Sequence, residues 1–314
     1  IRLRQLARLE GFKIEKELAE LREERDGLQH LLDSRPAMTR LILKEITDDA
    51  KKYGDDRRTL IEAVAAVAPA EISVPDEPIT VILSRNGWIR SRQGHGIDPA
   101  GITYKAGDFA FALLETRTTW PLVVIDTHGR AYTIKAAELP GGRGDGVPIA
   151  TLADFQDGGK PAQVLADAPD TRYFFANSGS YGFICTLADA TSRQRAGKAF
   201  MALEKGETVL TPAKVHGEWI AAASEGGRVL IFPRAEMKVQ AGGRGVIVMG
   251  MDEGETLCAV AVPADDAVLT VEGIGRGSKP ASVTLKPAQR EGLRHRRARK
   301  GAPLAIRLKP ERMY

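Results

Sequence analysis

The sequence predicts a mainly β chain: five propeller-like repeats preceded by an α-helical hairpin. Three observations carry this. Helical periodicity is confined to residues 1–57, short β-branched and aromatic runs between glycine turns begin at Pro78, and two glycine landmarks recur in phase through those runs. The chain has 314 residues, enough for one large core or two modest ones. An apolar fraction of 43% suits globular packing, and 27% charged residues argue against a membrane protein. The apolar stretch Ala63 to Ala68, which no other exceeds, ends at Pro69, far short of the ~18 residues of a membrane span.

In residues 1–57, Ile14, Leu18, Leu21, Leu28 and Leu32 follow a 4-3 spacing, with Arg25 interrupting one seam position. Ser34-Arg35-Pro36 breaks this helix. A second run then places Met38, Leu41, Ile42, Ile46, Ala50 and Tyr53 on one face. Two helices with a short break read as an antiparallel hairpin. It has too little surface to fold alone and is expected to pack on protein beyond this chain. The opening IRLRQLARLE has neither an initiator Met nor a signal peptide and begins mid-helix, which predicts a fragment of a longer protein. Residues 58–77, with Pro69, Pro75 and many small residues, read as a linker.

From residue 78 to 314, four segments begin alike, at Gly107-Asp108, Gly158-Gly159, Gly206-Glu207 and Gly254-Glu255, with first glycines 51, 48 and 48 residues apart. Each is followed 21 or 22 residues later by a turn glycine between strand-like runs: Gly129, Gly179, Gly227 and Gly275. The turn at Gly87 makes a fifth. Units of about 40–50 residues with about four strands each are the period of propeller blades, and the irregular last repeat suits a terminal unit.

A third landmark follows each turn and is chemical. The Arg/Gly loops are Ser91–Gly96, Gly141–Gly146, Ser192–Lys198, Gly242–Gly245 and Arg294–Gly301. Arginine forks match phosphate oxygens, and a missing Cβ lets backbone N–H groups approach the same anion. Equivalent positions of a closed or spiral array fall on one rim, so the loops predict a curved basic track for duplex DNA, bound through its backbone and bent. Aromatic residues are only 6% of the chain and absent from these loops, which disfavours single-strand stacking.

The net charge of +4 hides this pattern. Residues 286–314 hold ten cations against two carboxylates, a net of +8, leaving −4 for the rest. Alternation over Ala302–Leu308 predicts a strand that holds this basic cluster on the last blade. The candidate DNA-binding residues are Arg85, Arg90, Arg92, Arg143, Arg193, Arg195, Lys198, Arg228, Arg244, Arg276, Lys279, Arg294, Arg296, Arg297, Arg299 and Lys300.

Other chemistries find little support. Cys185 and Cys258, 73 residues apart in apolar runs, read as buried, reduced thiols of a cytosolic, nucleoid-associated protein. Single scattered histidines suggest no metal site. RAGKA lacks the first glycine and final Ser/Thr of a P-loop, and Gly273–Ser278 lacks the third glycine of a dinucleotide motif. Asp108, Asp126 and Asp189 do not pair as glycosidase carboxylates at matched repeat positions. A protein–protein scaffold with the Arg/Gly loops as solvated turns is the rival reading.

Several stretches are similar to a known family. Tyr53–Arg58, ILSRNGWIRSRQGHGID (82–98) with ITYKAGD (102–108), and SGSYGFICT with SRQRAGKA (178–199) resemble the A subunits of bacterial DNA topoisomerase IV, a type IIA topoisomerase. The resemblance covers essentially the whole chain. It implies that residues 1–57 end the coiled-coil arm of the breakage-reunion region and that 78–314 form a C-terminal DNA-binding β-pinwheel, in which hairpins are exchanged between blades. It implies no cofactor here, with ATP and Mg2+ serving the holoenzyme through an ATPase B subunit, and an A-subunit homodimer. The family's catalytic tyrosine lies in an N-terminal winged-helix region, so Tyr53, Tyr104, Tyr132, Tyr173, Tyr181 and Tyr314 are not cast in that role. Gyrase A subunits carry a Gln-Arg-Arg-Gly-Gly-Lys-Gly box in their first blade. Here that place reads SRQGHGI, and the nearest approach, Arg193–Ala199, sits in the third repeat with Ala196 and Ala199 for glycines. This favours a topoisomerase IV-type domain over gyrase-type wrapping.

Overall fold

The computed structural model describes residues 2–55, 74–142 and 144–314. The chain divides into two compact units, Ile1–Glu71 and Ile72–Tyr314. In the first, α1 (Arg2–Asp33) and α2 (Arg35–Tyr53) are separated by Ser34 alone. The Ser34 side chain accepts the Ala37 N–H as N-cap, and Pro36 sits in the first turn, where its missing N–H costs nothing. Ile14, Leu18, Leu21, Leu28 and Leu32 of the predicted seam all lie exposed. Neither helix is long and apolar enough to cross a membrane.

Most of the predicted linker, residues 58–73, lies outside the described residues. Its end belongs to the second unit: Glu77 N–H donates to Thr118 Oγ1 at 3.0 Å, and Asp76 pairs with Arg117 at 2.8 Å.

Five repeats build the second unit. The first supplies β1 (Pro78–Ser84), β2 (Trp88–Gln93) and β3 (Ala110–Arg117). The second supplies β4 (Pro121–Asp126), β5 (Arg130–Lys135), β6 (Val147–Pro148) and β7 (Pro161–Ala166). The third holds β8 (Arg172–Ala176), β9 (Tyr181–Thr186), β10 (Lys198–Ala199) and β11 (Ala213–Lys214). The fourth holds β12 (Trp219–Ser224), β13 (Arg228–Pro233), β14 (Val246–Ile247) and β15 (Leu257–Ala261). The fifth holds β16 (Leu269–Ile274), β17 (Pro280–Leu285), β18 (Ala302–Pro303) and β19 (Lys309–Met313).

Each sheet is a hairpin flanked on its first strand by the last strand of its own repeat. The second hairpin strand is flanked by a two-residue strand from the next repeat: β6 on β2, β10 on β5, β14 on β9 and β18 on β13. This exchange makes the architecture a β-pinwheel. The fifth sheet has three strands, β17-β16-β19.

The exchange relocates the C-terminal basic cluster. Only Ala302–Pro303 of the expected strand forms, and it joins the fourth sheet. His295 N–H donates to Ile231 O at 2.9 Å in that sheet, so residues 294–300 lie along the fourth blade rather than the last.

Apolar side chains of consecutive sheets interlock in four cores. Val81, Leu83 and Ile89 meet Val124 and Tyr132, and Phe175 and Phe183 meet Phe200 between the second and third repeats. Phe174 meets Phe232, and Val229 meets Val271. Among the described residues no apolar cluster joins the fifth sheet to the first. Thr80 and Ile82 point to the far face of the first sheet by strand alternation and are buried beneath their own repeat's loop: Thr80 Oγ1 donates to Gly94 O at 2.7 Å, and Lys105 lies on the Trp88 ring. The far face of the fifth sheet bears Thr270, Glu272, Ser282 and Thr284, a polar end of the kind terminal repeats need.

The two glycine landmarks have one structural cause. The turn after the first hairpin strand is capped by a carboxylate carried on the other landmark. Asp108 Oδ1 accepts the Asn86 and Phe109 N–H groups at 3.1 and 2.9 Å, and Glu255 Oε1 accepts Ser224 Oγ at 2.5 Å and Gly226 N–H at 3.2 Å. In the third repeat Asn177 Nδ2 donates to Glu207 Oε2 at 3.1 Å. The turn glycines Gly87, Gly129 and Gly227 have φ of 81, 78 and 79°, as tight hairpin turns require. Two repeats differ from the expected pattern. Ser180 takes the left-handed position in the third turn, where a Cβ on Gly179 would sit 1.9 Å from Glu207 Oε1, and Gly277 takes it in the fifth.

Candidate nucleic-acid interface

The proposed DNA-binding cations fall into two groups. One group is committed within the fold. Arg90 is 6% exposed, and its guanidinium donates to Thr103 O at 2.6 Å and to Gly144 O. It fastens the first-repeat loop to β2 and offers nothing to a phosphate, which corrects the sequence assignment. The alternation of β2 turns Arg90 inward beneath that loop. Lys198 donates to Asp189 O at 2.5 Å, and Arg244 pairs with Glu207 at 2.7 Å and Glu204 at 3.2 Å over the Tyr181 ring. Carboxylates also hold Arg228 (Asp252, 3.2 Å), Arg195 (Asp154, 3.6 Å), Lys300 (Asp252) and Arg294 (Glu291). The Arg297 guanidinium donates to Ile247 O.

The other group is free. Among the described residues, the Arg92, Arg193, Arg276, Lys279, Arg296 and Arg299 side chains make no hydrogen bond or ion pair, and all but half-exposed Arg92 are exposed. Arg85 is exposed with only the Phe109 ring beside it. Arg143 lies outside the described residues. Arg193 and Arg195 border a groove of about 1010 Å3 whose floor includes Trp120, Ile134 and Leu152. Arg276 shares a second groove with Arg307, a cation that the Arg/Gly pattern missed because no glycine flanks it, and with Lys309, which is held by Glu225 at 2.6 Å.

The loop glycines have an architectural role that the sequence reading assigned to anion binding. Gly146, Gly197, Gly245 and Gly301 each immediately precede an exchanged strand, with φ of 89, 62, 82 and 70°. Cβ atoms there would fall 2.2, 2.6, 2.0 and 2.5 Å from carbonyl oxygens of the preceding repeat's hairpin. The loops are glycine-rich because the chain must cross a neighbouring backbone at contact distance. Four of the five loops are equivalent in this way. The first, Ser91–Gly96, donates no strand and instead covers its own sheet, with Gly96 N–H on Glu115 Oε1 at 2.6 Å.

Sequence comparison finds extended relatives. The chain is 42% identical over 311 residues to the A subunit of DNA topoisomerase 4 from Neisseria gonorrhoeae, and 34% identical over 311 residues to that of Escherichia coli strain K12. These alignments cover 95% and 96% of this chain. The chain belongs to the DNA topoisomerase IV A-subunit family. It spans about two fifths of those relatives' length, 40% and 41%. No family model matches it.

The solved E. coli ParC C-terminal domain superposes with a TM-score of 0.67 at 28% identity, covering 76% of this chain and 98% of that domain. A DNA gyrase A C-terminal domain shares the fold alone, with a TM-score of 0.53 at 18% identity. The motifs that resemble topoisomerase IV A subunits map to distinct parts of the pinwheel. ILSRNGWIRSRQ is the first hairpin, and ITYKAGD runs from the Thr103 carbonyl that Arg90 holds to the Asp108 cap. SRQRAGKA is the crossing that delivers β10 to β5.

The two thiols are free and unlike each other. Cys185 is buried, which with the nearby Asp189 carboxylate pushes its thiol up to about 12. Cys258 is only half-buried, so the sequence expectation of two buried thiols holds for one.

Proposed function

We propose that this chain contains the DNA-binding and DNA-bending part of a topoisomerase IV A subunit. It holds duplex DNA through phosphates along a basic edge of the pinwheel and guides which segments are passed during decatenation and supercoil relaxation. The observation that carries this reading is the set of unpaired, exposed cations, Arg193 in the third repeat and Arg276, Lys279, Arg296 and Arg299 in the fifth. Isolated surface cations usually find a carboxylate or stay scattered, whereas these fit distributed contact with a polyanion. The names of the relatives support the same reading. In it this part of the protein does no bond-breaking itself. The rest of the A subunit, in a homodimer, and an ATPase B subunit supply cleavage and ATP-driven strand passage, with ATP and Mg2+ bound outside this chain.

Bending a 20–30 bp site by 40–90° costs of order 1–6 kcal/mol, which the phosphate contacts must offset. Removing one phosphate-binding cation lowers the slope of log K against log salt by about 0.9. The test is a salt titration of binding to random-sequence duplex. Arg193→Ala with Arg299→Ala is expected to weaken binding and flatten the slope by nearly two such steps without creating a sequence preference. Salt-insensitive binding, or an unchanged slope, would favour the protein-scaffold reading and overturn this one.

A further inference from the structure

One position in the first repeat breaks the chemistry of its equivalents. In four repeats a residue entering the hairpin turn donates its N–H to the carbonyl of the residue following the landmark pair that begins with Gly107, Gly158, Gly206 or Gly254. The pairs are Arg85 to Phe109 (2.9 Å), Thr127 to Lys160 (2.9 Å), Ser178 to Thr208 (2.9 Å) and Glu225 to Thr256 (2.8 Å). The geometry is the same and three of the four pairs are wholly polar, so the fold has no need of an aromatic ring here. Phe109 is nevertheless 58% exposed, with the Arg85 guanidinium 5.5 Å from its ring centroid.

The ring is presented on a firm support. Asp108 Oδ1 accepts both the Phe109 and the Asn86 N–H, which ties the ring's backbone to the hairpin turn. Arg85 has no carboxylate partner, and the exposed Lys105 Nζ, 3.1 Å from the Trp88 ring centroid, has none either. The patch therefore sets the protruding Phe109 ring, with the less exposed Phe111 two residues along, beside two uncompensated cations in the same repeat.

We propose that Phe109 is a wedge for duplex DNA. Its ring enters between adjacent base pairs and partly unstacks one step while Arg85 takes the phosphate beside it. Inserted apolar side chains kink duplexes by about 20–90°, and pyrimidine–purine steps yield most readily. The wedge gives the pinwheel a fixed point of bending, where phosphate contacts alone would spread curvature evenly. The inference rests on the duplex-binding reading above.

The test uses the whole chain and a duplex of about 30 bp carrying 2-aminopurine at TA steps and a fluorophore pair at its ends. Binding of the unaltered chain is expected to raise 2-aminopurine fluorescence and bring the ends together. Phe109→Ala abolishes the fluorescence rise and reduces the end-to-end change, with the salt slope unaltered because every cation is still in place. Phe109→Leu, still an apolar wedge, retains part of the rise. Arg85→Ala lowers the slope by about 0.9. A fluorescence rise that survives in Phe109→Ala overturns the wedge. So does salt-sensitive binding without any rise, the result expected if this ring serves a protein partner. Absence of salt-sensitive binding by the unaltered chain overturns the duplex-binding reading itself.

Discussion

The Cβ that Gly159 lacks would lie 2.5 Å from Asp126 Oδ2. In the other capped repeats an acid at the landmark reaches toward a short polar residue on the hairpin, Glu255 toward Ser224 and Asp108 toward Ser84. In the second repeat the carboxylate has moved to the hairpin side. Asp126 Oδ1 accepts the His128 and Arg130 N–H groups at 2.8 and 2.9 Å, and Gly159 supplies the room. Asp126→Ser leaves the His128 N–H without an acceptor, since the equivalent Ser84 Oγ accepts only the i+4 N–H, that of Trp88, and Gly159→Glu collides with Asp126. Each single change is expected to cost about 1–3 kcal/mol, the first through the lost acceptor and the second through overpacking. The double variant should recover much of that, a favourable coupling of about 0.5–3 kcal/mol in a chemical-denaturation cycle. Additive losses would mean that the two positions are independent.

The exchanged strands make a sharper demand on glycine than the turns do. Gly245→Ala puts a methyl group 2.0 Å from Gly182 O in a left-handed backbone and should destabilise by more than about 3 kcal/mol. Gly254→Ala, at a similar φ of 77° but with open space around it, should cost only the left-handed penalty, about 1–2 kcal/mol. Denaturation midpoints of the two variants compare them directly.

Arg90 and Arg193 should separate stability from binding. Arg90→Ala removes donors to Thr103 O and Gly144 O and is expected to lower the melting temperature while leaving the salt slope of duplex binding intact. Arg193→Ala should do the reverse. Thermal denaturation and binding isotherms on the same samples read both effects.

The turn caps also set an acid limit. Burial raises the Glu255 carboxyl, but hydrogen bonds from Ser224, Asp252 and Gly226 and the Arg228 charge outweigh it and hold it below its ordinary value of 4.5. Asp108 is likewise held below 3.8, its partial burial outweighed by hydrogen bonds from Ser84, Asn86, Phe109 and Arg85. Groups with depressed values contribute stability above their unfolded pKa and lose it as pH falls through the folded one. The melting temperature should therefore fall below about pH 4.5, and Glu255→Gln should be less stable at neutral pH with a shallower acid decline. An equally steep decline in Glu255→Gln would remove this residue from the acid response.

With its thiol pushed up to about 12, Cys185 should resist thiol reagents at mildly alkaline pH until the chain unfolds. Burial raises Cys258 as well, but its partial exposure should let it react first. Mass spectrometry of timed labelling orders the two.

The helices, the five repeats and the turn glycines are legible because each leaves a period or a conformational need in the sequence. Strand exchange leaves no period to read. Lys198–Ala199 and Ala302–Pro303 are too short for alternation to register, so Ala302–Leu308 looks like a strand of the last blade when only its first two residues pair, with the fourth sheet. Their true marker is the preceding glycine, and an arginine beside it looks the same whether it serves a phosphate or a crossing. Arg90 passes for a phosphate ligand because alternation in β2 gives the inward parity without revealing which loop covers that face. Phe109 stands out only once its polar counterparts in the other repeats are superposed on it.

Because β6, β10, β14 and β18 each finish the sheet before them, none of the first four blades is self-sufficient in the order of synthesis. The first sheet stays one strand short until Pro148 has left the ribosome, and the fourth until Pro303 has. Each unfinished hairpin meanwhile presents an open edge to its neighbours on a polysome. A chain cut within one repeat is therefore damaged one blade further back than the cut, and a terminus lost before Ala302 strips an edge from the fourth blade as well as the fifth.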